Sequence, residues 1–472
     1  MASNRLRPIP LALKQPYNND MKTITKSTIH AAMVCTGIVL LFSIISCKKY
    51  LEEKPDLSIA TPSTMSDIEG ILNNYNFMNA RYPSASEVSA DNFYLLTADF
   101  NALNDRQRNF YLRQKFDDIG GDYSALYTTI EYANIILETL EKISGDETQK
   151  AQYRAEARFV RASCHYALAQ LFAAPYNNND SALGIALRLT ANINERPTRA
   201  TVNETYQAIL DDLQAAAKAL PSSLALRFRP NRAAAFGLLS RVFLTMQNFE
   251  QAEKYADSCL SISGTLLDYN NLNANATVPI AQFNEEILYD ARSSPPAALA
   301  TSRAKIDTLL YASYQSNDLR QTVYFRTNTN GSRSFKGNYT GLNNASIFSG
   351  VATDEVYLNG AEAAVRNGHQ AKALSLINAL MAKRWKTGTF QPYQTTDAAT
   401  LLTEILKERR KELLFRSLRW ADLRRLNQEA GRSQVLTREI NGQTYTLEPQ
   451  SPRYVFAIDR AAVEISGLPQ NP

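Results

Sequence analysis

The chain has 472 residues, 44% of them hydrophobic and 10% aromatic, and a formal net charge of +5. That is enough apolar material for a sizeable core in one large domain or in two or three small ones. Residues 1–46 set Arg5, Arg7, Lys14, Lys22 and Lys26 against Asp20, so four of the five excess charges lie there, and nothing in the remainder points to a nucleic-acid partner.

Residues 1–20 carry Pro8, Pro10 and Pro16 and precede a second methionine, Met21, so they read as an over-extended start. Residues 21–46 read as a signal peptide. Met21, Lys22 and Lys26 form a positive first region, and the apolar run from about Ala31 to Ile45 is shorter than the ~20 residues a spanning helix needs. The run closes on Ile44-Ile45-Ser46-Cys47, which resembles the cleavage site of bacterial lipoproteins. Cys47 is the expected lipidation site. Residues 47–62, polar and interrupted by Pro55 and Pro62, read as a tether.

The remainder, 63–472, is expected to be one mostly α domain. A helix should begin near Thr64 with Met65, Ile68, Ile71, Leu72 and Tyr75 on one face. The stretch from Asn76 to Asp122 lacks periodicity and reads as irregular. Apolar residues at helical spacing then return in three runs: Leu126 to Leu140, Ala155 to Ala169, and Val202 to Leu220, the last stopped by Pro221. Two later segments share one small/large pattern. Phe236, Leu239, Ser240 and Phe243, then Ala252, Ala256 and Cys259, fall at the same offsets as Tyr357, Gly360, Ala361 and Ala364, then Ala373, Ile377 and Leu380. This is the signature of tetratricopeptide-like hairpins, in which small residues let paired helices touch and large ones fill the next gap. The two units are separated in sequence, which excludes a plain solenoid. The expected architecture is therefore a helical-hairpin scaffold over 63–262 and 351–430, a loop-rich insertion over 263–350 with short strands such as Val323-Tyr324-Phe325, and an irregular segment 431–472.

Few residues are of the kind that carries covalent or metal chemistry. Cys164 and Cys259 lie in helical patterns; a disulfide between them is allowed in an oxidising compartment, but buried free thiols suit them better. His165 and His369 are isolated, which argues against a zinc site or a histidine triad. No metal or cofactor is expected. Asp117-Asp118, Asp211-Asp212 and Glu285-Glu286 are neighbours that would point about 100° apart on a helix, a poor arrangement for paired glycosidase carboxylates. The chain is read as a non-enzyme; a surface glycoside hydrolase and a peptide-binding helical-repeat adaptor are the alternatives. The charged run Lys407 to Arg425 reads first as a solvated helix face with Glu412 and Arg416 as a supporting pair four apart.

That same run closely resembles a motif of the SusD/RagB family of outer-membrane nutrient-binding lipoproteins, matching it at Arg409, Glu412, Leu413, Phe415, Arg419, Trp420, Asp422, Leu423 and Arg425. Arg416 and Ser417 depart from the family's Glu-Gly turn. Ala157 to Ala162, Leu183 to Leu187, Arg199 to Val202, Asn317 to Arg320 and the close from Tyr454 to Pro472 agree as well, with Ala457-Ile458-Asp459 a local departure. The resemblance implies a lipid-anchored protein on the exterior of a Bacteroidota outer membrane. Such a protein would bind a glycan or related nutrient and pass it to a TonB-dependent, SusC-like barrel. It also places ligand contacts in the irregular stretches rather than the repeats, where sugar recognition needs aromatic faces beside Asn or Arg. The candidates are Arg81, Tyr82, Asn92, Phe93, Tyr94, Tyr269, Asn270, Tyr289 and Tyr324. Arg419, Trp420 and Asp422 are expected to be scaffold.

Overall fold

Short helices open the described residues: α1 (Met65–Leu72), α2 (Tyr75–Met78), α3 (Ala85–Ser89), α4 (Thr97–Asn101) and α5 (Asp105–Leu112). The computed structural model describes residues 62–472 apart from 178–180, 224 and 396, so the signal segment and Cys47 lie outside the described residues. Thr64 caps α1 in a reciprocal box with Asp67, each side chain taking up a free backbone N–H of the other's turn. The helix ends at Leu72, one residue short of Asn73 and Asn74, so Tyr75 belongs to α2. The stretch read as irregular thus holds four short helices. None is long enough to show a periodic stripe, and tertiary packing holds them in place.

The long elements follow: α6 (Gly121–Leu140), α7 (Glu147–Phe172), α8 (Val202–Ala219), α9 (Arg232–Thr245) and α10 (Phe249–Ile262). After the insertion come α11 (Thr308–Ala312), α12 (Arg320–Tyr324), α13 (Thr353–Arg366), α14 (Gln370–Ala382), α15 (Ala398–Glu412), α16 (Arg419–Leu426) and α17 (Arg460–Ser466). Each helix from α6 to α10 packs on the next, and α10 then packs on α13 as if no chain intervened. The two hairpins separated in sequence are therefore neighbours in space. Gly360 makes the junction possible: a Cβ there would lie 3.2 Å from that of Ala256 on α10 and 3.1 Å from Leu376 on α14. The turn between α9 and α10 is made at Gln247, φ 58°, and that between α13 and α14 at Gly368, φ 83°.

Every strand pairing among the described residues is antiparallel and two-stranded. Within the insertion, Ile287–Tyr289 pairs with Val351–Ala352, and Lys305–Ile306 pairs back to Phe93–Tyr94, so the insertion is laced to both ends of the scaffold. Phe325–Thr327 and Arg333–Phe335 form a hairpin; Val323 and Tyr324, read as strand, close α12 instead. The C-terminal segment is more ordered than its sequence suggests, with Leu436–Ile440 and Gln443–Leu447 joined through Asn441 and Gly442, φ 53° and 73°.

The Lys407–Arg425 run is not a solvated face. Glu408, Arg409, Lys411, Glu412, Arg416, Asp422 and Arg425 are all buried. Glu412 ends α15 and meets Arg320 and Arg384 at 2.9 and 2.6 Å, while Arg416 turns away to Asp354 at 3.0 Å, so the four-apart pair does not form. Trp420 packs on Tyr454 and Phe456, and Arg419 and Asp422 tie to Asp91 and Arg409, as scaffold. Cys164 and Cys259 are free and buried, burial pushing the Cys164 thiol up to about 12.

A polar cleft beside the first short helices

Most aromatic candidates lie too deep to face a ligand. Tyr269, Tyr289, Tyr324 and Phe93 are each no more than 1% exposed. Tyr269 bonds the hydroxyls of Tyr324 and Tyr339 at 2.9 and 3.0 Å and carries the Arg384 guanidinium 4.1 Å from its ring centre. These tyrosines line the joint between insertion and scaffold. Tyr289 sits edge-on to Phe159, 4.8 Å between centroids, and Asn92 is buried, donating to Glu87 at 2.7 Å. Tyr94 is half-buried on its two-residue strand. Asn270 is exposed, but its amide ties Asp268 to the Trp385 carbonyl.

Arg81 and Tyr82 are different. The chain after α2 turns back along the segment 290–294, with the Arg292 amide donating to the Asn79 carbonyl at 2.8 Å and the Tyr82 amide to the Arg292 carbonyl at 3.2 Å. Asn79 is buried and clamps the Phe228 and Asp290 carbonyls, both at 2.8 Å. Asp122, at the start of α6, accepts the Ser84 amide and, at 3.2 Å, the Ala85 amide; burial raises its carboxyl above the usual range against those two bonds. On the far side, Gln107 of α5 accepts the Ala298 amide at 3.2 Å, and Arg106 grips Asp118 at 2.8 Å.

These ties hold open a cleft of about 660 Å³, lined by Asn76, Arg81, Tyr82, Asn104, Arg106 and Gln107 with Pro295 and Pro296 opposite. The volume suits a small-molecule site, whereas two other cavities, of about 30 and 40 Å³, have room for little beyond water. Tyr82 bonds the Ser163 hydroxyl at 2.6 Å and closes the floor. The Arg81 guanidinium carbon sits over the Phe77 ring, 4.2 Å from its centre, and Phe77 is backed by Tyr132 at 5.2 Å. Its Nε donates to the Asn76 carbonyl at 3.3 Å, and no carboxylate of the described residues pairs with it. The stacked guanidinium therefore presents unused N–H donors to the cleft. Asn104, Arg106, Gln107 and Asp122 had no sequence signal, because chain folding alone brings α5 and α6 to this wall.

Of the sequence-adjacent carboxylate pairs, Asp117 is engaged by Arg460, Asp118 by Arg106, Asp212 by Arg161 and Glu286 by Arg384.

A stacked-helix scaffold with a laced insertion is the fold that this chain shares with solved SusD superfamily structures. A family model described as starch-binding and associating with the outer membrane matches residues 49–244, and the SusD family model matches 352–464. The chain belongs to the SusD family. A curated relative, SusD-like protein P2 of Formosa agariphila, is 25% identical over 470 residues, covering 83% of this chain and 90% of its own length. A sugar-binding protein of Bacteroides vulgatus, assigned that role provisionally, superposes with TM-score 0.72 at 22% identity, covering 88% of this chain and 99% of the other. A SusD superfamily protein of Bacteroides thetaiotaomicron does so with TM-score 0.72 at 21% identity, covering 87% and 100%.

Proposed function

We propose that this chain is a lipid-anchored protein of the cell exterior that binds a glycan or related nutrient in the Arg81 cleft and delivers it to a TonB-dependent, SusC-like barrel. One observation carries the binding step: an arginine without a carboxylate partner, stacked on Phe77, facing a cleft of about 660 Å³. A guanidinium held over an aromatic ring offers its donors to hydroxyl or carboxylate oxygens and loses little freedom on binding. Membership of the SusD family, and relatives described as sugar-binding, support the ligand class.

Affinity electrophoresis through gels holding amylopectin, xylan, laminarin or polygalacturonate tests this. The wild-type chain should be retarded by at least one, and Arg81→Ala should weaken that retention about tenfold or more at unchanged melting temperature, a loss of roughly 1.4 kcal/mol. Equal retardation of Arg81→Ala and wild type counts against the cleft. Release of shorter sugars from the retained polysaccharide would favour a hydrolase instead.

A further inference from the structure

Folding engages most of the side-chain acceptors of the Arg81 cleft and leaves its donors over. Asn104 caps α5 through its side-chain oxygen, which accepts the Gln107 amide at 2.9 Å, so the part of Asn104 left over is its NH2 group. Gln107, buried in the same wall, repeats the pattern. Its Oε1 accepts the Ala298 amide at 3.2 Å, and its NH2 group meets no partner among the described residues. Asp122 is the only carboxylate that lines the cleft among the described residues, and it is engaged by the Ser84 and Ala85 amides and by the Ser84 hydroxyl.

The cations are left over in the same way. Arg81 gives only its Nε to the chain, so both Nη groups, the end-on fork of the guanidinium, bond no described residue. Arg106 adds a second guanidinium. Asp118, which is not part of the lining, holds it through Nε and Nη2, and Nη1 bonds no described residue. The group lies against Gly120, φ 58°, where a Cβ would come 2.6 Å from Nη1. The lining thus carries two guanidinium groups against one engaged carboxylate, with Asn76 and Ser294 as the side chains that keep an acceptor.

A sugar hydroxyl both donates and accepts, so a neutral ring needs acceptors from its site as well as donors, whereas a carboxylate only accepts. Bonds from a guanidinium to a carboxylate are also about twice as strong as neutral ones, and a parallel pair of them fixes orientation. We propose that the cleft takes an acidic glycan: the carboxylate of a uronic acid unit lies end-on against the two Nη groups of Arg81, with Asn104, Gln107 and Arg106 supplying further donors. This deepens the glycan reading of the cleft and rests on it.

The test sets gels of polygalacturonate, alginate and hyaluronate against amylopectin and laminarin, and repeats each acidic gel with the methyl-esterified polymer, which keeps the sugar and removes the charge. The wild-type chain should be retained by at least one acidic polymer and about tenfold more weakly by its ester. Asn104→Asp keeps the helix cap, which aspartate makes as well as asparagine, so its melting temperature should match wild type. It exchanges an amide donor for a negative charge and should weaken retention by the acidic polymer about tenfold. Equal retention by an acidic polymer and its ester, retention by amylopectin or laminarin alone, or wild-type retention of Asn104→Asp overturns the acidic class and leaves the cleft reading standing. Retention by no gel counts against the cleft reading, and the acidic class with it.

Discussion

Glu87 shows how far a side chain's surroundings can move its chemistry. It is 1% exposed and accepts hydrogen bonds from the Asn92 amide at 2.7 Å and the Ser417 backbone at 3.1 Å. Burial outweighs both bonds and pushes its carboxyl up to about 7 from 4.5. Between those values the folded chain holds a proton that the unfolded chain has lost. Stability from this group is therefore fully present below about pH 4.5 and is lost as pH rises through about 7. Burial pushes the Glu286 carboxyl up in the same sense, against the pull of Arg384. Urea unfolding of the wild type should lose on the order of 3 kcal/mol from Glu87 between pH 5 and pH 8, and Glu87→Ala should remove that part of the slope. An unaltered slope in the variant would show that Glu87 is already ionised when folded. Residue roles of this kind were poorly legible beforehand. Tyr269, Tyr289 and Tyr324 were read as ligand contacts because tyrosine in loop-rich sequence suits sugars, yet the same amphipathic ring also suits a buried ionic joint. Arg81 differs from them in lining the open cleft, which a single sequence does not encode.

At the scale of elements, legibility followed length and periodicity. The stripes of α6, α7 and α8 and the two matched hairpins stood out because thirteen or more residues repeat one face, as in α14 with 13 and α7 with 26. The four-to-eight-residue helices between 75 and 112 did not, since so few turns carry no stripe. The hairpin at Asn441-Gly442 was missed although that dipeptide is a strong turn signal. The charged end of α15 was misread for a physical reason. Acids and bases alternating on a helix usually face water, but here the partners come from elsewhere in the chain: Arg320 from α12 and Arg384 from just beyond α14. Glu412 joins both guanidinium groups, all three side chains being 0% exposed, and so fastens the insertion to the repeats. Glu412→Gln leaves buried positive charge underpaired and should cost about 3–5 kcal/mol in urea unfolding. Limited proteolysis should then cut first within 263–350; first cleavage in the helical repeats would mean the joint is held by something other than this carboxylate.

At the scale of the whole molecule, the proposed lipid anchor is expected to be separable from folding. Among the described residues the hydrophobic core is assembled from Ile68 onward, and no helix is long and apolar enough to cross a membrane. Cys47, in its lipoprotein-like setting, is the residue proposed to supply membrane attachment. A diacylglycerol brings two acyl chains, and each buried methylene contributes about 0.8 kcal/mol, so two chains anchor stably where one is marginal. Cys47→Ala deletes that whole term and touches no described contact. In cells lacking the partner barrel, the variant should leave the membrane pellet for the soluble fraction while its urea midpoint stays at the wild-type value. Co-sedimentation of Cys47→Ala with membranes under those conditions would locate the attachment elsewhere in the chain, and a lowered midpoint would make the lipid part of the fold.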